Sequence, residues 1–95
     1  MRLCSEHMNF IKETLEKSDI TMEIYLFGSR VDDNAKGGDI DILILSDKHF
    51  KSNTIRNFKV NFYKKFGWQK IDVVNFLFNE YHPFKDIALD KAVKL

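Results

Sequence analysis

The sequence predicts a small α/β (α+β) domain, and three observations carry that reading. Two short runs rich in β-forming residues, MEIYLF and DIDILIL, flank a polar loop that contains glycines. Apolar residues recur at helical spacing on either side of this pair. A third strand-like run, QKIDVVNF, follows the longest helical stretch. The expected order is α-β-(turn)-β-α-β-α, a small mixed sheet of about three strands with flanking helices.

Each element has its own signal. Cys4, Met8, Ile11 and Leu15 share one helical face, so a first helix is expected over Ser5–Lys17, with Ser5 as its N-cap. Met22–Phe27 is the first strand and stops at Gly28. Ser29–Asp33 reads as a helical turn and Asn34–Gly38 as a loop. Asp39–Leu45 is the second strand. Ser52–Phe66 carries Ile55, Phe58, Phe62 and Phe66 on one stripe and is closed by Gly67. Gln69–Phe76 is the third strand. His82-Pro83 then opens a last helix, with His82 as a cap and Phe84, Ile87, Ala88, Ala92 and Leu95 on its inner side.

Composition narrows the class. Ninety-five residues correspond to one domain, 1–95, and 44% hydrophobic content is that of a globular chain. A single cysteine allows no intramolecular disulfide, which favours a reducing, cytoplasmic setting. The start MRLCSEHMNF lacks the apolar run of a signal peptide, and no segment reaches the ~20 apolar residues of a membrane span. A net charge of +1 neither requires nor excludes nucleic acid.

The chemistry concentrates in LFGSRVDDNAKGGDIDILIL. Asp39 and Asp41 stand at the start of a strand otherwise built for burial, where unpaired carboxylates are costly. As residues i and i+2 they project to one face, with Cα atoms ~6.6 Å apart. Two such carboxylates repel unless a cation lies between them, and hard oxygen donors suit Mg²⁺ or Mn²⁺. Asp72 joins them if the third strand lies beside the second. Three carboxylates then suffice for a two-metal site, in which the ions stabilise both the attacking and leaving oxygens. Upstream, Gly28 permits close backbone approach, and the Ser29 hydroxyl and following N–H groups suit an anion. Antiparallel first and second strands bring this phosphate cradle to the carboxylates.

The stretch FGSRVDDNAKGGDIDILI resembles the nucleotidyltransferase superfamily motif hG-[GS]-x(9–13)-D-[hp]-D-h, shared with polymerase β-like enzymes. The chain is most similar to the stand-alone minimal nucleotidyltransferases (MNT). Nine residues separate Ser29 from Asp39, the short end of the range, and Gly38 stands where serine is usual. The resemblance implies a polymerase β-like fold and an Mg²⁺-dependent transfer of a nucleoside monophosphate, with ATP as donor. It assigns Gly28, Ser29 and Arg30 to the triphosphate, Asp39 and Asp41 to the metal, and Asp72 to metal binding or deprotonation of the attacking hydroxyl. It also implies a partner, a helical HEPN-type toxin protein that receives AMP on a tyrosine, so that the chain would act as an antitoxin by AMPylation. A homo-oligomer is a further expectation.

Other readings stand beside these. The alternative function is a binding module that neutralises its partner by complex formation, with catalysis lost or incidental. A D-x-D phosphodiesterase or Toprim-like nuclease lacks its glutamate strand motif and leaves Gly28-Ser29 unexplained. Asp72 alone fits a salt bridge to Lys70 or Lys36. Asp32 and Asp33 read as solvated, Cys4 as a small core residue, and His7, His49 and His82 show no metal-ligand spacing. Six basic and no acidic residues lie within 51–70, interleaved with Phe58, Phe62, Tyr63, Phe66 and Trp68. Nucleic acid is not the favoured partner there, because the phenylalanines form one stripe and the lysines share no face. The second and third strands are apolar on both faces, so either a partner or the first and last helices must cover what remains.

Overall fold

A computed structural model describes residues 5–17, 20–27, 40–90 and 92–95. The elements are α1 (Ser5–Glu16), β1 (Met22–Phe27), β2 (Ile40–Ser46), α2 (Ser52–Phe66), β3 (Ile71–Leu77), α3 (Pro83–Leu89) and β4 (Val93–Lys94). The expected turn over Ser29–Asp33, the loop Asn34–Gly38, Cys4 and Lys36 lie outside the described residues.

Alternation along β2 divides the core in two. Ile40, Ile42 and Ile44 face one side, where they meet Ile24 and Leu26 of β1, Ile71 of β3, Ile11 and Leu15 of α1, and Phe58 and Phe62 of α2. The α2 stripe behaves as its spacing predicts, since residues three to four apart stack on one helix face. His7 and Phe10 of α1 complete this aromatic layer. The His7 ring lies edge-on to Phe66 at 4.3 Å and to Phe62 at 5.2 Å. On the other side, Leu43 and Leu45 of β2 pack with Phe76 of β3 and Ala88 of α3. Both sheet faces therefore have helical cover within the chain: α1 and α2 on one, α3 on the other.

The sheet order is β3-β2-β1-β4. β1 and β2 are antiparallel, as a phosphate cradle near the carboxylates requires, and β2 and β3 are parallel. A parallel neighbour needs a crossover, and α2 supplies it. The C-terminal ends of β2 and β3 are tied by Asn75. Its Oδ1 accepts the Phe50 N–H at 2.8 Å, and its Nδ2 donates to the Ile44 carbonyl and to Ser46 Oγ. These bonds satisfy the fully buried Ser46, whose own hydroxyl donates to the Lys48 carbonyl.

The C-terminal segment departs from expectation. The last helix ends at Leu89 rather than running to Leu95, and Ile87 is 72% exposed rather than inward. Val93–Lys94 instead forms a fourth strand, antiparallel to β1, and the Leu95 N–H donates to the Ile24 carbonyl at 2.9 Å. The open edge of β1 offers backbone partners that a longer helix would leave unused. Leu95 still reaches the main core, but from a strand. His82 does cap α3, its Nδ1 accepting the Phe84 N–H at 3.1 Å, with Pro83 in the first turn.

Candidate active site

Strand register decides which carboxylates meet. In the parallel β2–β3 pair Asp41 lies opposite Asp72, as Leu43 lies opposite Val74 and Leu45 opposite Phe76. Partners in register point to the same face, so both carboxylates rise from the α3 side, on strands ~4.8 Å apart. Asp41 is half-buried and Asp72 is exposed. Like charges directly opposite each other destabilise a sheet unless something between them offsets the repulsion. The donor set therefore fits a hard divalent cation. Among the described residues no three His, Cys, Asp or Glu side chains gather as a metal-holding group. The third expected ligand, Asp39, lies outside the described residues.

β1 supplies the opposite flank. Phe27, its last residue, pairs with Asp41 across the antiparallel ladder. Its ring meets Phe84 of α3 edge-on at 6.1 Å, which fixes the wall beside Asp41. Gly28, Ser29 and Arg30, the expected phosphate cradle, follow immediately in the chain but lie outside the described residues. Asp41 is thus flanked by the end of β1 on one side and by Asp72 on the other. Sequence reasoning missed Phe27 and Phe84 as the wall, because neither residue carries a signal apart from its cross-strand and helix-sheet neighbours.

The remaining polar groups serve the frame. The Lys85 ammonium, on a side chain buried under α3, donates to the carbonyls of Leu77 (3.0 Å), Phe78 (2.9 Å) and Glu80 (2.8 Å). Glu80 accepts the Leu77 N–H and pairs with His49 at 3.1 Å, and these contacts hold its carboxyl below the ordinary carboxylate value. Burial, then the neighbouring Glu23 carboxylate, raises the Tyr25 phenol. The three histidines, which carry no ligand spacing in the sequence, pack, pair and cap. No helix among the described residues is long and apolar enough to cross a membrane.

A four-stranded mixed sheet with two carboxylates in register at the start of adjacent parallel strands is an arrangement suited to phosphoryl chemistry, and it matches a polymerase β-like nucleotidyltransferase fold. The nucleotidyltransferase domain family matches residues 7–95, nearly the whole chain, and the protein belongs to that family. Its class of activity is accordingly nucleotidyl transfer. A search of curated proteins finds no match to the chain.

Proposed function

We propose that the chain transfers a nucleoside monophosphate from a nucleoside triphosphate, ATP being the expected donor, to an acceptor hydroxyl. The observation that carries this is the in-register pairing of Asp41 with Asp72 beside the end of β1. Asp39, Asp41 and Asp72 would hold Mg²⁺, and Mn²⁺ has the same ligand chemistry. When bound, the metal neutralises charge on the phosphate oxygens and favours loss of pyrophosphate. Gly28 and Ser29 would hold the triphosphate through backbone N–H groups and the hydroxyl, with Arg30 on a phosphate oxygen.

The acceptor oxygen attacks the α-phosphorus and forms the new P–O bond. The bond from that phosphorus to the oxygen bridging toward the β-phosphorus breaks, and pyrophosphate carries away the electron pair. The proton of the hydroxyl passes to the Asp72 carboxylate, which is exposed and can return it to water. The acceptor hydroxyl in this reading is carried by another macromolecule. The family resemblance makes a HEPN-type toxin one such acceptor, the chain then acting as a cytoplasmic antitoxin by AMPylation.

The test follows α-³²P-labelled nucleotides into protein and RNA acceptors, with Mg²⁺, for wild type and for Asp41→Asn. Label that appears with wild type and vanishes with the variant supports transfer. A folded wild-type protein that moves no label from any nucleotide overturns it in favour of a binding module.

A further inference from the structure

Helices cover both sheet faces, yet the outside of those helices still shows large apolar side chains. Among the described residues the exposed ones fall in two places. Val60 and Trp68 lie on and just after α2, which packs on one sheet face. Phe78, Tyr81, Phe84 and Ile87 lie in the β3–α3 turn and on α3, which packs on the opposite face. Neither group is loose. Trp68, 78% exposed, stacks on Tyr63 at 6.4 Å between centroids and 26° between planes. Gly67, at φ 90°, turns the chain to make that stack, and its N–H donates to the Tyr63 carbonyl at 2.8 Å. Phe84 is held against Phe27 and Phe76. Anchored apolar groups left open together on a folded surface mark a place for another surface.

The two places carry opposite charge. Segment 51–70 has six basic and no acidic residues. Arg56, Val60 and Lys64 stand four apart, so they form one exposed line along α2 with the valine between two cations. Lys65 reaches instead over Phe10, so α1 lies along a different side of α2. Segment 71–90 has four acidic residues and one lysine, and that lysine, Lys85, is buried against carbonyls. Asp86 and Asp90, four apart and both exposed, bracket the exposed Ile87. One layer thus presents an apolar group between cations, and the other an apolar group between carboxylates. The chain as a whole is nearly neutral at +1, so copies meet with little net repulsion. Like patches brought together would set like charges against each other, whereas unlike patches match in sign and in apolar character.

We propose that copies of this chain associate head to tail, the α2 line and Trp68 of one copy seated on the α3 patch of the next. Because unlike patches join, the contact is heterologous, and it closes a ring or extends a row of copies. It goes beyond nucleotidyl transfer and does not depend on it. The seated copy covers the helix of the sheet face from which Asp41 and Asp72 rise. The chain contains one tryptophan, so its emission reports the α2 side of the contact alone. Wild type is compared with Asp86→Lys/Asp90→Lys and with Arg56→Glu/Lys64→Glu. Sedimentation is followed at low and high salt over a concentration series up to about 1 mM. The replaced side chains are all exposed, and far-UV spectra check that the variants fold.

Wild type should associate as concentration rises, less so at high salt, with Trp68 emission moving to the blue. Each variant alone, with both patches of one sign, should associate at least about 10-fold more weakly. An equimolar mixture of the two variants should recover association, because each patch then finds its opposite on the other protein. A wild type that stays monomeric throughout overturns the proposal. Association with unchanged Trp68 emission overturns it as well, and so does association that both variants keep. Weakening by each variant without recovery in the mixture overturns the head-to-tail arrangement. The wild-type series decides by itself should a variant not fold. No readout here uses a nucleotide, so failure of this proposal and failure of the transfer reading are separate results.

Discussion

Asp41 and Asp72 face each other across a parallel ladder, each on the strand where an apolar residue would pack at no electrostatic cost. Replacing Asp72 with Asn removes a like-charge neighbour from an exposed position, so stability to urea should hold or rise by up to about 0.5 kcal/mol. Transfer should meanwhile fall at least about 100-fold, since the several kcal/mol supplied through a metal would be lost. A residue kept for structure would show the reverse pattern. Lys85 is such a residue. Lys85→Met leaves three carbonyls of the β3–α3 turn without their donor and should cost roughly 2–4 kcal/mol in urea unfolding. No spacing in the sequence singles out Lys85, because its three partners are backbone atoms brought round by a turn.

Among the elements, α2 does two jobs from two faces. Its inward phenylalanines fill the core, and Phe62→Ala should cost about 3–5 kcal/mol by equilibrium unfolding. At its end, Gly67 combines φ 90° with ψ 175°, a backbone region nearly reserved for glycine. A Cβ there would meet nothing within 4 Å, so Gly67→Ala should cost only the backbone strain, about 1–3 kcal/mol, and should shift Trp68 emission as the stack relaxes. The β3–α3 junction carries a pH dependence. Because the folded state depresses the Glu80 pKa, its contribution is complete above the ordinary carboxylate value and is lost as pH falls through the lower folded one. The stability difference between wild type and Glu80→Gln should therefore shrink in acid and plateau toward neutrality. The stripes of α1 and α2 and the first three strands were legible because their periods are local, whereas the stripe expected to run on to Leu95 was not a helix. The fourth strand was not legible, since two residues carry no period and only the free edge of β1 recruits them.

For the molecule as a whole, the core is apolar and independent of the carboxylate end, so chelation should leave the far-UV spectrum in place. Mg²⁺ at about 100 times its Kd should add about 2.7 kcal/mol to wild-type unfolding and far less to Asp41→Asn/Asp72→Asn. Equal stabilisation of both proteins would place the ion elsewhere. The chain by itself determined the α/β alternation and the inward faces of α1 and α2, because side-chain direction repeats every two or 3.6 residues along a local backbone. Tertiary structure alone decided that β3 lies parallel to β2 with Asp72 opposite Asp41, that β4 closes the edge of β1, and that Trp68 stands open while its phenylalanine neighbours are buried. Those outcomes depend on which distant segments share a ladder, and only the packing of α1, α2 and α3 over the two sheet faces selects among the pairings a local pattern allows.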